Sequence, residues 1–323
     1  MDKYLQEWFD IIQYMSNDNT YKLAWGRAII ETILFEDFSY CENDIEISFD
    51  SISEKILKYY WNQVFFFNLK QSSNNTKPPI IYSIVSKVIE EYKLIEKKTN
   101  PIWFDKAKSF FDKNQELYTN TINKISKTLK LDVCWRYKYA NKKVYEIYQL
   151  DDKKTKICIP ILDAKILKEY SIMLIHVINY KWAQLLEKYN RSPRIVSKVQ
   201  NSIDNKIRRK NLKKFKEVLV QQFKENAVID FYTGQELVSS DISVDHVIPW
   251  SFMYSDDIWN LVLTSKSNNS RKSNIVPSID YIEKLKNRNN ALLRIIEDEK
   301  MKKELILSIE QDYVTKFYYD AII

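Results

Sequence analysis

Glycine is nearly absent from this chain, with two residues among 323. Loops that wrap backbone N–H groups around phosphate need several glycines at fixed spacing, so a P-loop and a dinucleotide fingerprint are excluded. The three cysteines lie far apart at positions 41, 134 and 158 and form no CxxC pair. This pattern argues against a disulfide framework and against a cysteine-based zinc site, so we expect no structural zinc.

Long apolar runs are also missing. No stretch reaches the roughly 20 consecutive apolar residues that a membrane span needs. The opening segment "MDKYLQEWFDII" is amphipathic rather than a charged leader followed by an apolar run. With 45% hydrophobic and 29% charged residues, the chain can bury a sizeable core beneath a charged surface. We therefore expect a cytoplasmic protein with no membrane partner.

The positive charge is unevenly distributed along the chain. The formal net charge is +7, and residues 1–227 hold 39 of the 50 basic side chains but only 28 of the 43 acidic ones. Residues 228–279 contain six acids and only three basic residues. If the protein binds a polyanion, most of the binding surface should therefore lie before residue 228.

The hydrophobic pattern predicts an α+β protein that is mostly α. Apolar residues recur at helical spacing in several segments of the first region, which are 4–15, 19–35, 53–69, 80–98, 103–130 and 163–189. The aromatic run "YYWNQVFFF" (59–67) is typical of a buried core helix. Between the last two helical segments, "LDVCWRYKY", "KKVYEIYQL" and "TKICIPIL" alternate like strands and predict a small antiparallel meander near 131–161.

The segment "NRSPR" (190–194) interrupts the helical pattern and marks a boundary. We predict a recognition or regulatory region at 1–200 and a second domain at 201–323. The second domain should begin with a basic helix at 203–223 and end with helices at 280–322. The basic residues of that first helix form a candidate DNA-binding set together with Arg271: Lys206, Arg208, Arg209, Lys210, Lys213 and Lys214. The alternative is an ordinary solvated face in a lysine-rich chain.

The segment 228–276 combines β-branched runs with an unusual set of polar residues. "ISVDHVI" and "IWNLVLT" predict two strands, and Ser265 or Thr264 can cap the short helix that follows. Asp245 and the amide oxygen of Asn269 are the hard oxygen ligands that Mg²⁺ or Mn²⁺ prefers. A neutral His246 can take a proton from water, and Lys272 can stabilise phosphate charge. These parts suit metal-assisted hydrolysis of a phosphodiester.

The same residues resemble the HNH (His-Me finger, ββα-metal) endonuclease family. Its motif places a histidine on the first strand, an asparagine on the second strand and a final His or Asn on the helix. Here these are His246, Asn260 and Asn269, and the segments "VDHVIPWSF" and "DDIWNLVLTSKSNNSRKSN" are most similar to the HNH domains of Cas9-type proteins. The resemblance implies that His246 activates water, that Asp245 and Asn269 hold the metal, and that Asn260 braces the hairpin. Asn268 is adjacent, and spacing alone favours Asn269.

Two features depart from that family. No zinc knuckle is present, so the hairpin must be held by apolar packing, which we expect from Val247, Phe252, Trp259, Leu261 and Leu263.

The loop between the two predicted strands contains the segment "SDD" (255–257). We expect a solvated loop there, and the alternative is a second metal site. The second departure is that no region of the chain is large enough for the guide-binding lobe of a Cas9-type protein. The resemblance therefore does not imply that this protein is guided by RNA.

The main functional hypothesis is a metal-dependent DNA endonuclease of restriction or anti-phage defence, acting on double-stranded DNA. One alternative is a nuclease effector subunit or toxin that a partner or signal activates. Another is a homing endonuclease. A single HNH site cuts one strand, so a homodimer or a defence-complex partner stays open as well.

Overall fold

A computed structural model describes residues 2–74, 76–204, 211–224 and 226–322. The chain divides into two compact units. The first contains Met1–Asn190 and Ile195–Lys206, and the second contains Arg191–Arg194 and Ile207–Ile323. The described residues are mostly helical, with small antiparallel sheets, as the sequence predicts. No helix among them is both long enough and apolar enough to cross a membrane.

Helices make up most of the first unit. Asp2 caps the first one by accepting a hydrogen bond from the backbone N–H of Tyr4 at 2.8 Å, and Ser48 caps the third in the same way. The helices of this unit are α1 (Lys3–Tyr14), α2 (Tyr21–Leu34), α3 (Phe49–Tyr60), α4 (Ile80–Glu96), α5 (Phe104–Lys113), α6 (Gln115–Thr128), α7 (Ile161–Glu169), α8 (Ser171–Glu187) and α9 (Ile195–Asp204).

The run predicted to be a core helix is buried. Trp61, Phe65 and Phe66 are packed inside the unit, which confirms the prediction for "YYWNQVFFF". From Trp61 to Phe66 the helix widens into a π-helix, and another π-helix at Leu129–Val133 ends α6. Such segments are rare and occur often at functional sites.

The predicted meander is only partly right. The structure forms a four-stranded antiparallel sheet in the order β1 (Ser39–Cys41), β2 (Asp44–Ser48), β6 (Lys156–Pro160) and β5 (Gln149–Leu150), with a separate hairpin of β3 (Tyr139–Ala140) and β4 (Lys143–Val144). The first predicted strand is wrong. Its buried residues Val133 and Tyr137 follow Leu129 at intervals of four, which is a helical period, and the segment continues from the π-helix into turns.

The second unit contains the predicted strands and C-terminal helices. Strands β7 (Ile242–His246) and β8 (Leu261–Ser265) pair antiparallel, with His246 opposite Leu261. The helices are α10 (Lys213–Val220), α11 (Trp250–Met253), α12 (Lys266–Lys272), α13 (Asp280–Leu293), α14 (Glu299–Glu310) and α15 (Tyr313–Ile322). The hydroxyl of Ser265 caps α12 by accepting from the N–H of Asn268 at 3.1 Å, as predicted.

The single basic helix predicted at 203–223 is wrong. Residues 203 and 204 end α9, residues 211 and 212 are not helical, and α10 begins at Lys213. Lys206, Arg208, Arg209 and Lys210 lie outside the described residues.

Apolar packing holds the β7–β8 hairpin. Val247, Trp259, Leu261 and Leu263 are buried in one cluster with residues from α13, α14 and α15, and Phe252 packs against it. All five residues expected to stabilise the hairpin therefore do so. Burying side chains of this size contributes about 1.5–3 kcal/mol each, which is how the unit stays folded without a cysteine-bound zinc.

Candidate nuclease site

The end of β7 carries the two residues of the Asp-His pair. Asp245 is buried, and its Oδ2 accepts a hydrogen bond from the hydroxyl of Tyr232 at 2.5 Å and lies 3.1 Å from Nζ of Lys272. Burial, followed by the Asp245 carboxylate, raises the pKa of Tyr232, so this phenol remains a donor. Burial lowers the pKa of Lys272, and the neighbouring carboxylate opposes that shift. The Asp245 carboxylate thus lies between the Tyr232 hydroxyl and the Lys272 ammonium.

His246 contacts a different carboxylate. Its Nε2 lies 3.0 Å from Oδ1 of Asp256, and both side chains are largely buried, with 13% and 12% of their surface exposed. The ammonium of Lys272 donates to the backbone carbonyl of His246 at 2.7 Å, so Lys272 bridges both members of the pair. In the tautomer that carries its proton on Nε2, the ring donates to Asp256 and Nδ1 is the acceptor.

The expectation of a solvated loop at 255–257 is wrong. Ser255 is buried, its hydroxyl donates to Asp257, and Asp257 in turn lies 3.3 Å from the guanidinium of Arg194. The N–H of Ile258 donates to Glu304 at 2.7 Å, which ties the loop to α14. Burial, followed by the nearby Asp257, raises the pKa of Glu304 to about 7. These contacts keep Asp256 directed at His246.

Asn260 braces the chain that follows the histidine. Its side chain is fully buried, its Nδ2 donates to the carbonyl of Ile248, and its Oδ1 accepts from the N–H of Ile248, both at 2.8 Å. Its backbone carbonyl also accepts from the N–H of Val247 at 2.9 Å. This reciprocal pairing joins the start of β8 to the end of β7. Asn260 therefore fixes the backbone that follows His246.

The two adjacent asparagines of α12 have different surroundings. Nδ2 of Asn269 donates to the carbonyl of Val244 at 3.1 Å and to the hydroxyl of Ser243 at 2.8 Å. Its side chain therefore lies against β7, next to the residue that precedes Asp245, and its Oδ1 carries no hydrogen bond from the described residues. Asn268 instead donates to Asp230 at 2.9 Å. Of the two amides, Asn269 is the one that contacts the strand carrying Asp245 and His246.

Sequence reasoning missed Asp230. This buried carboxylate accepts hydrogen bonds from the hydroxyl of Thr264, the N–H of Ser265 and the amide of Asn268, all at 2.9 Å. Burial alone would raise its pKa, but these hydrogen bonds, with that from the N–H of Thr233, hold the pKa at about 2. Asp230 ties the lead-in segment to β8 and α12. In the sequence, only the turn-like segment Asp-Phe-Tyr-Thr-Gly that begins at this residue could have indicated its role.

The structure describes three of the predicted DNA-binding residues, two on α10 and one on α12. Lys213 is exposed at the start of α10, whereas Lys214 pairs with Asp298 at 2.6 Å. Arg271 is exposed and donates to Oδ1 of Asn268 at 2.8 Å. Among the described residues, no three His, Cys, Asp or Glu side chains are grouped as a metal site. The candidate metal ligands here are one carboxylate, Asp245, and one amide, Asn269. They therefore do not form a group of three His, Cys, Asp or Glu side chains.

Two family models match separate parts of the chain. Residues 230–278 match the family model described as HNH endonuclease, and residues 4–203 match a domain of unknown function, DUF8808. The chain is 43% identical over 67 residues to the CRISPR-associated endonuclease Cas9 of Streptococcus mutans serotype c, covering 20% of this chain and 5% of the relative. It is 42% identical over 60 residues to the protein of the same name from Listeria innocua serovar 6a, covering 18% and 4%.

The chain therefore spans about a twentieth of the length of the curated relatives it matches. No solved structure matches it. The DUF8808 model covers more than half of the 323 residues, and the HNH model covers the hairpin, its lead-in and α12. The chain belongs to the DUF8808 family, and its residues 230–278 belong to the HNH endonuclease family.

Proposed function

We propose that this protein is a metal-dependent DNA endonuclease that hydrolyses phosphodiester bonds at the end of β7. The observation that carries the proposal is the contact between His246 and Asp256. A histidine whose Nε2 is engaged by a carboxylate has a defined orientation and a free acceptor at Nδ1. The orienting group, the base and a neighbouring cation together match the arrangement that water activation requires.

His246 is the proposed general base. Asp256 keeps the ring proton on Nε2, so Nδ1 can take a proton from a water molecule as that water attacks phosphorus. The carbonyl of His246 is held by Lys272, which limits movement of the strand end. Positioned bases of this kind contribute about 10²–10⁴-fold to a rate.

The residues present fit a hard divalent cation such as Mg²⁺ or Mn²⁺. Asp245 supplies a buried carboxylate whose Oδ1 carries no hydrogen bond from the described residues, and Asn269 supplies an amide oxygen that is likewise unengaged. Such ions prefer one or two protein oxygens and complete their shell with water and phosphate. When bound, the ion would supply Lewis acidity at the phosphate oxygens.

Lys272 is the proposed phosphate contact. Its ammonium lies 3.1 Å from the Asp245 carboxylate, and burial lowers the pKa of Lys272. A phosphate brought to Asp245 and Asn269 would offer this ammonium a second anionic partner. Asn260 takes no part in these contacts and keeps the positioning role described above.

We further propose that the nuclease serves in defence against foreign DNA, as a restriction-type enzyme or as an effector that a partner activates. The support is the similarity to two proteins that are CRISPR-associated endonucleases. The matched region amounts to a small share of those proteins, so their other activities are not transferred to this chain.

Plasmid cleavage tests the proposal, and the two histidines of the chain provide a matched pair. Methylated and unmethylated plasmids are incubated with Mg²⁺ or with EDTA. Wild type and His176→Ala, which alters an exposed residue of α8, should cut only with the metal, whereas His246→Ala should cut at least 100-fold more slowly. Equal rates for His246→Ala and wild type would refute the assignment. Mapped product ends will distinguish nicking from double-strand cutting.

A further inference from the structure

The β3–β4 hairpin and the turn before it form an exposed basic and aromatic segment in the first unit. Its sequence, "WRYKYANKK" (135–143), contains two arginine or lysine residues on each side of "YAN" and no acid. No role is assigned to any part of the DUF8808 region. We propose that this segment, here called the 135–144 surface, binds an unpaired strand of nucleic acid.

The hairpin presents its residues on a short, rigid support. Tyr139 pairs with Val144 and Ala140 pairs with Lys143, so two residues make the turn. Both turn residues, Asn141 and Lys142, have positive φ values of 48° and 62°, which is typical of a type I′ turn. A lysine at the second turn position is more strained than glycine would be, and here it places an ammonium at the exposed tip.

Two aromatic rings of this surface remain open to solvent. Trp135 is 53% exposed and Tyr139 is 49% exposed, whereas Tyr137 between them is buried in the unit. The Trp135 ring is held in place, because its Nε1 donates to the carbonyl of Leu131 at 3.0 Å and the Arg136 guanidinium lies 4.9 Å from its centroid. An exposed ring with a fixed orientation is what base stacking requires, and stacking is available only to unpaired bases.

The charge of the surface suits a polyanion. Arg136 and Lys138 have carboxylate partners in Asp132 and Glu146, but Lys142 and Lys143 form no ion pair among the described residues. Lys143 lies over the Tyr145 ring at 4.1 Å, which holds its side chain along the hairpin. Two ammonium groups with no ion pair among the described residues and two exposed rings within one short segment favour a strand with phosphates and exposed bases over an apolar protein partner.

Neighbouring lysines extend the surface. Lys130 donates to the carbonyl of Lys153, so the turn before β6 lies against the π-helix that precedes Trp135. Lys138 and Lys154 both lie close enough to Cys134 to oppose the rise in its thiol pKa that burial causes. Lys138 and Lys154 therefore add positive charge close to Cys134, the residue before Trp135.

The inference rests on the proposed function in one respect, since it identifies part of the contact with the DNA substrate. An unpaired strand is present wherever the duplex target of a nuclease is opened. The 135–144 surface would then hold such a strand.

Binding of the full chain to DNA tests the surface without any cleavage. Fluorescence anisotropy is measured with EDTA on a labelled single strand and on the duplex of the same sequence. Trp135→Ala should weaken single-strand binding about fivefold or more and leave duplex affinity and the salt dependence unchanged, while Trp135→Phe should retain most of the affinity. The double variant Lys142→Ala/Lys143→Ala should weaken binding to both forms and reduce the salt slope for the single strand by about 1.4.

The matched control is Lys87→Ala/Lys165→Ala, which removes two exposed lysines from α4 and α7 and should bind as wild type does. Circular dichroism confirms that each variant is folded. The proposal is overturned if folded Trp135→Ala binds the single strand as tightly as wild type, or if both lysine pairs have equal effects. Plasmid cleavage that depends on His246 would still stand in that case. If no DNA is cut but Trp135 controls binding, the surface stands and the nuclease assignment falls.

Discussion

Nε2 of His246 lies 3.0 Å from Oδ1 of Asp256, which is ten residues further along the chain in the loop between β7 and β8. The loop holding Asp256 is itself fixed, through Asp257 to Arg194 and through Ile258 to Glu304. The orientation of the proposed base therefore depends on a carboxylate that belongs to neither strand.

Replacing Asp256 should slow cleavage without weakening DNA binding. Asp256→Ala removes the acceptor of Nε2, so the ring can rotate and exchange its tautomer, and we expect kcat to fall about 10–100-fold. Asp256→Asn can still offer an amide oxygen to Nε2 and should retain more activity than the alanine variant. Single-turnover cleavage gives the rate, and anisotropy with EDTA gives the affinity. A loss of affinity equal to the loss of rate would assign Asp256 to substrate binding instead.

The adjacent asparagines of α12 should separate catalysis from stability. Asn269→Ala removes the proposed amide ligand, so the Mg²⁺ concentration for half-maximal cleavage should rise about 10–100-fold. Asn268→Ala removes a hydrogen bond to the buried carboxylate of Asp230 and should lower the free energy of unfolding by about 1–3 kcal/mol, with an unchanged metal requirement. Metal titration of cleavage and urea denaturation provide the two readouts. The opposite pattern would move the ligand assignment to Asn268.

Asp230 should stabilise the second unit in a pH-dependent way. Its folded-state pKa of about 2 lies below the ordinary value of 3.8, so the stabilisation is complete above about pH 5 and is lost as pH falls toward 2. Asp230→Asn should therefore lower the unfolding free energy at pH 7 and lower it less at pH 3. Glu297→Gln, which alters an exposed acid of the same unit, is the control and should show no such difference. Equal destabilisation by Asp230→Asn at both pH values would contradict the role of its charge.

Much of the fold could be predicted from the hydrophobic period. The helical segments of the first unit, the two strands around Asp245 and Asn260, and the C-terminal helices all carry clear patterns. The strand β2 could also have been found, because buried Ile45 and Ile47 alternate with a less buried Glu46. The break at Asn114 and the break at Tyr170 were missed, since apolar residues continue across both at helical spacing.

The contacts of the site were less predictable. Three of the partners of Asp230 lie 34–38 residues away, and the approach of Asp256 to His246 depends on how an aperiodic loop is anchored. Neither follows from a local period, because loop side chains have no register until the tertiary contacts form. The site could be recognised from the order and separation of four residues along the sequence, which are Asp245, His246, Asn260 and Asn269. Strand pairing and the capped helix α12 require these separations, as in the HNH family.

Glu304 should make the stability of the second unit fall as pH rises toward neutrality. Burial and the neighbouring Asp257 raise its folded-state pKa to about 7, against an ordinary value of 4.5. The folded protein therefore holds a proton that the unfolded chain releases, and stability declines between about pH 4.5 and 7. Glu304→Gln can still accept from the N–H of Ile258 and cannot ionise, so it should be more stable than wild type at pH 8 and similar to it at pH 4.5.

Urea denaturation at the two pH values measures the free energy of unfolding. The control is Glu310→Gln, which alters an exposed acid on the same helix and should match wild type at both pH values. If Glu304→Gln were less stable than wild type at pH 8, the ionised carboxylate would have to be a favourable partner in the folded unit.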